Sequence, residues 1–237
     1  LGVTRNVPDL LHFERPLLER GEVVVGLDEV GRGALAGPLT VGAVVLKVAA
    51  APPRGLNDSK LLSRARREAL VEPLQEWATD WSLGSVTSAE IDDWGLRLAL
   101  AVAATRALDG LRVRPTHALI DGSFNLLRAP QDVGFGVEPA PELRYASLAC
   151  TTIVKGDQAS ATIAAAAVLA KVQRDRFMVA LARECGDYFW AENKGYGAPE
   201  HLEALRRLGS TSYHRRSWRL PLRESIEEPT EGVEEWS

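Results

Sequence analysis

Sulfur and imidazole are scarce in this chain of 237 residues, which holds two cysteines, one methionine and four histidines. Cys150 and Cys185 stand at no metal-ligand spacing and are too few for a disulfide framework. That excludes a Cys/His metal cluster and a disulfide-stapled scaffold, and a reducing, cytoplasmic setting is expected. His12, His117, His201 and His214 are scattered, and no nucleophile, histidine and acid combine into a convincing triad. No apolar run approaches the roughly 20 residues of a membrane span, and no signal-peptide pattern marks the first residues, so no membrane partner is expected. A surplus of positive charge is missing too, since the formal net charge is −4.

What is present is an ordinary globular composition, 46% hydrophobic and 25% charged, enough for one well-buried domain with at most a small appended piece. The charge is unevenly placed. Residues 221–237 carry six glutamates against the single Arg223, and taking that −5 away from −4 leaves +1 for the rest. Basic residues gather at Arg64–Arg67, Lys171–Arg176 and Arg206–Arg219, so local patches can hold a phosphate backbone without a basic total. The acidic segment has no core to join and is expected to be a disordered tail.

The chain is organised around Val23–Pro38, VVVGLDEVGRGALAGP. A buried strand runs into Asp28 and Glu29 and then into a loop with Gly31 and Gly33. Consecutive strand side chains point to opposite faces, so the two acids can serve one centre only if the chain leaves strand geometry between them, which the glycines allow. The chemistry this suggests is a pair of hard oxygen ligands for Mg²⁺ or Mn²⁺, followed by backbone that touches a substrate. A solvated Asp-Glu turn is the plain alternative. A dinucleotide-binding loop, which Gly31–Ala36 imitates, is excluded by context, because it must open a helix and Leu39–Leu46 reads as a second strand.

The remaining pattern predicts helices over Asp9–Arg20, Ser63–Thr79, Ser88–Leu108, Ala159–Cys185 and a short stretch ending near Leu208. Strands are predicted at Trp81–Val86, Thr116–Ile120 and Cys150–Lys155. Asp121-Gly122 repeats the arrangement at Asp28, which gathers carboxylates at corresponding strand ends. Asp157 stands where the cap of the alanine-rich helix belongs. Asp175 is about 27 Å further along that helix at 1.5 Å per residue, too far to share a site with Asp157. Lys171, Arg174 and Arg176 read as surface or distant backbone contacts, and His201 as structural. Phe124–Leu148 is a loop or a hairpin insertion.

Five stretches then resemble, in order, the motifs of the ribonuclease HII family over roughly residues 20–217. They are GLDEVGRGALAGP; Leu56-Asn-Asp-Ser-Lys60; Lys155-Gly-Asp157 with IAAAAVLAKVQRDR; Asn193-Lys-Gly-Tyr-Gly197 followed by Glu200-His201; and Ser210–Trp218. Leu61 departs from the family, which usually has a second lysine there. The resemblance implies an α/β, RNase H-like fold with a mixed, roughly five-stranded sheet flanked by helices. The catalytic domain would be 1–220, with 187–220 a small C-terminal helical extension, and 221–237 the acidic tail.

The resemblance also implies cleavage of RNA in RNA/DNA hybrids and of ribonucleotides embedded in duplex DNA, leaving 3′-hydroxyl and 5′-phosphate ends, as in ribonucleotide excision repair. It places the fourth acid at Asp157, so Asp28, Glu29, Asp121 and Asp157 would be the catalytic residues and the ligands of two divalent ions, Mg²⁺ or Mn²⁺. Gly31, Arg32, Gly33, Lys60 and Tyr196 would bind substrate: the glycine loop reads the 2′-hydroxyl, Arg32 lies near the phosphate, Lys60 lies at the groove and Tyr196 stacks on the ribose. Nucleic acid is the expected partner, and a monomer the expected state. The alternatives are another RNase H-like metal-dependent DNA nuclease and a non-catalytic hybrid-binding module. Four acids facing phosphate argue against the latter.

Overall fold

Two β-branched runs form the centre of the computed structural model, which describes residues 9–128 and 142–222. β1 (Val24–Val30) and β2 (Leu39–Leu46) pair antiparallel from Val24↔Leu46 to Val30↔Thr40. β3 (Asp80–Val86) extends the sheet antiparallel beyond β2. On the other side β4 (His117–Asp121) runs parallel to β1, and β5 (Ala149–Ile153) parallel to β4. The order is β3-β2-β1-β4-β5, the expected mixed five-stranded sheet.

Among the described residues, six α-helices accompany the sheet: α1 (Glu14–Glu19), α2 (Arg64–Trp77), α3 (Ser88–Asp109), α4 (Ala161–Leu181), α5 (Trp190–Asn193) and α6 (Pro199–Leu208). Strand alternation sorts the core into two layers. Val25, Leu27, Val41, Ala43 and Val45 pack with Leu98 and Val102 of α3, whereas Val44 and Leu46 pack with Leu74 of α2 and Ala165 and Val168 of α4. The alanine-rich helix lies very close to the sheet. A Cβ at Gly26 would fall 2.3 Å from the Thr162 carbonyl carbon, and one at Gly42 would fall 2.4 Å from the Ala166 oxygen.

Capping decides where the helices begin. Ser63 caps α2 through the Arg66 N–H, and Thr87 with Glu90 forms a capping box on α3. α3 is bent at Gly95 (φ 72°) rather than straight through Ser88–Leu108. α4 is capped by Ser160, which accepts from the Ile163 N–H; Asp157 lies instead in a 3₁₀ turn, Gly156–Gln158. The buried Glu14 accepts from the Thr162 N–H and from the Ser160 and Thr162 hydroxyls, so α1, shorter than the expected Asp9–Arg20, is fastened to the start of α4. Of the 124–148 segment, Arg144 and Tyr145 bond Asp109 at 2.7 and 3.0 Å. Residues 129–141 and nearly all of the acidic tail, 223–237, lie outside the described residues. No described helix is long and apolar enough to cross a membrane.

Candidate active site

The β1–β4 ladder stops at Leu27↔Ile120, so Asp28 and Asp121 are the next residues on two parallel neighbours. β1 does not leave strand geometry between Asp28 and Glu29; it stays paired with β2 through Val30. Alternation therefore sends Asp28 to the α4 face and Glu29 to the α3 face. Both nevertheless line one groove, because β4 ends at Asp121 and the groove opens across the sheet end, with Gly31, Arg32, Gly33, Lys60, Lys171 and Tyr196 around it. Asp157 closes the α4 side, where the Lys60 ammonium donates to its Oδ2 at 3.4 Å.

Each acid has a local reason for its position. Asp121 Oδ1 accepts the Gly156 N–H at 2.7 Å, which ties the end of β4 to the turn that carries Asp157. Asp58 accepts from the Lys60 N–H and from Gln158, which ties the Asn-Asp-Ser-Lys loop to the same turn. Burial, reinforced by the charges of Glu29, Asp121 and Asp157, pushes the Asp28 carboxyl well above the usual range. Burial also raises Glu29, with Arg32 opposing and Asp121 adding to the rise. Asp157 is raised by burial against the pull of Lys60. Among the described residues, no three His, Cys, Asp or Glu groups stand close enough together to hold an ion as placed. The donor set still fits a hard divalent cation: it is all oxygen, it is mutually repelling, and its flanks are held by Lys60 and by Arg32, 3.6 Å from Glu29.

The substrate-side loop is built just as tightly. Gly31 has φ +85°, and a Cβ there would lie 2.2 Å from Arg174 Nε. Its N–H donates to the Tyr196 hydroxyl at 3.2 Å. Lys171 Nζ lies 5.8 Å and the Arg174 guanidinium 5.4 Å from the centre of the Tyr196 ring. Arg32 lies 5.4 Å over the Phe124 ring, a contact the sequence does not announce.

Two arginines support this loop: in the sequence Arg174 reads as a surface or distant backbone contact, and Arg215 as one of the basic residues of Arg206–Arg219. Arg174 is buried and donates to the carbonyls of Pro38, Ala36 and Lys194 at 2.7, 3.1 and 2.9 Å. Its signal was periodic: Ala170, Arg174 and Met178 share one buried stripe of α4. Arg215 is fully buried and donates to the carbonyls of Gly31 and Arg32 at 2.6 and 2.7 Å. Behind them, the Leu35 N–H donates to Gly195 O and the Gly37 N–H to Tyr213 O, and Ser88 Oγ donates to Tyr213 O. His201 is structural as expected: its Nδ1–H donates to the Tyr196 carbonyl at 2.8 Å, while its Nε2 accepts from Trp190 and His214.

The Ribonuclease HII family model matches residues 25–220. The chain belongs to the ribonuclease HII family. Ribonuclease HII of Streptomyces avermitilis is 44% identical over 197 residues, 83% of this chain and 77% of that one. Ribonuclease HII of a Jannaschia species is 46% identical over 84% of this chain and 91% of that one. The solved ribonuclease H2 from Pyrococcus horikoshii is similar at 27% identity with a TM-score of 0.62, over 84% of this chain and 95% of that one. As a member of that family, the protein is an endoribonuclease with ribonuclease H activity on RNA/DNA hybrids, and its mixed sheet with flanking helices is the RNase H-like fold.

Proposed function

We propose that this protein cuts both RNA/DNA hybrids and single ribonucleotides in duplex DNA, leaving 3′-hydroxyl and 5′-phosphate ends, with two Mg²⁺ or Mn²⁺ ions held by Asp28, Glu29, Asp121 and Asp157. Residues 1–220 form its catalytic domain and 221–237 its acidic tail. One observation carries this reading: Asp28, Glu29 and Asp121 line a single groove with a glycine loop whose Arg32 and Gly33 amides have no protein partner among the described residues, and Lys60 of that groove reaches Asp157. Divalent ions bound there supply Lewis acidity, a lowered pKa for water and positive charge opposite the charge that develops on the phosphate. The chain's own groups do the selecting. The two amides and the Tyr196 hydroxyl meet the ribose 2′-hydroxyl, the group that distinguishes RNA from DNA. Lys60 and Arg32, paired with Asp157 and Glu29 in this structure, turn to the phosphates.

The test is a labelled DNA duplex with one ribonucleotide beside an all-DNA duplex, in Mg²⁺, Mn²⁺ or EDTA, for wild type and Asp121→Asn. Metal-dependent cutting at the ribonucleotide alone, at least about 100-fold slower in the variant, is the expected result. Cutting of all-DNA duplex would indicate a general nuclease, and binding with no cutting in any metal would indicate a binding module.

A further inference from the structure

The amides that face the ribose are aimed from the other end of the chain. A trans peptide points its carbonyl and its N–H in opposite directions. The Gly31 carbonyl shares a peptide with the Arg32 N–H, and the Arg32 carbonyl shares one with the Gly33 N–H. One guanidinium takes both carbonyls: Arg215 Nη2 donates to Gly31 O at 2.6 Å and Nη1 to Arg32 O at 2.7 Å. With these carbonyls turned into the protein, the two N–H groups turn toward the groove that Arg32 and Gly33 line.

Arg215 cannot touch substrate itself. It is 0% exposed and lies 4.8 Å from the Trp218 ring, with Nη2 also reaching Gly37 O at 3.3 Å. A planar fork suits two successive carbonyls, whereas a lysine ammonium is a single point donor on a flexible stem. Burial, and then the charge of Arg174, lowers the guanidinium only to about 10, so it keeps its proton at neutral pH.

We infer that Arg215 is a positioning residue for ribose recognition, its guanidinium fixing two consecutive peptides so that the Arg32 and Gly33 amides point at the 2′-hydroxyl. This rests on the proposed role of the loop. Ser88 provides the contrast, since it supports the same loop through the carbonyls of Gly37 and Tyr213 without reaching the two peptides.

Binding, measured apart from cleavage, tests it. In an Asp121→Asn background, the Kd for a duplex with one ribonucleotide is compared with that for the all-DNA duplex by fluorescence anisotropy, before and after adding Arg215→Lys, Arg215→Gln or Ser88→Ala. The parent binds the ribonucleotide duplex more tightly. Either Arg215 variant reduces that preference by up to about tenfold, the worth of one or two such hydrogen bonds, with all-DNA binding within about twofold of the parent. Ser88→Ala lowers the melting temperature and keeps the preference. Discrimination retained in both Arg215 variants overturns the inference, as does an equal loss in Ser88→Ala or a failure of both Arg215 variants to fold. A parent without any preference rejects the ribose-reading role of the loop itself, and the inference with it.

Discussion

An added Cβ at Gly33 meets no atom of the protein within 4 Å, whereas at Gly31 it collides with Arg174. Gly31 is thus a glycine for the fold, whereas the fold leaves room for a side chain at Gly33, and under the proposed function the substrate does not. Gly33→Ala is expected to change the melting temperature by no more than about 2 °C while lowering kcat/KM on a single-ribonucleotide duplex about 10- to 100-fold. Unchanged kinetics would show that no ligand comes close to that backbone. At this scale the meeting of Asp28, Asp121 and the glycine loop at one groove was legible, because a carboxylate ending an apolar strand and two glycines in a loop stand out from the pattern around them. Arg215 was not, and Arg174 showed only in its place on the buried stripe of α4. Charged residues are ordinarily exposed, and the partners of these two are backbone carbonyls, which no side-chain pattern displays.

Among the elements, the strands were legible from their β-branched runs, and the helices from their apolar spacing. The errors lie at junctions. Asp157 competes with Ser160 three residues later for the cap of α4, and Gly95 bends a helix whose spacing hides it. The C-terminal elements hold a titratable device. Burial, and then the neighbouring His201, holds the His214 imidazole at about 4 against an ordinary 6.5. The folded state therefore refuses a proton that the unfolded chain accepts. The stability from the neutral ring is complete above about pH 6.5 and is lost as pH falls toward 4, by at most about 1.4 kcal/mol per unit. His214→Asn removes that dependence. Its deficit in melting temperature against wild type should be largest near pH 7.5 and narrow steadily toward pH 4.5; a constant gap would count against the buried pair.

For the whole molecule, charge separation is the property that total charge conceals. The 223–237 segment carries the same net −5 as 221–237, beside a body of +1. Deleting 223–237 should tighten binding to an RNA/DNA hybrid about two- to fivefold at about 50 mM salt, and the difference should vanish near 0.5 M as screening shortens the range of these charges. An effect that survives high salt would mean something other than long-range repulsion.

The loop from Gly31 to Pro38 draws its supports from Arg174, from Gly195, and from Tyr213 and Arg215. A ribosome making this protein releases the acids and the glycines of the loop early and their braces very late. Until residue 215 has emerged, the nascent chain holds the acids beside a loop whose Gly31 and Arg32 carbonyls lack their guanidinium. The groove that gathers Asp28 with Asp121 waits only on α4, so the order of synthesis completes the acid cluster before the loop beside it is braced.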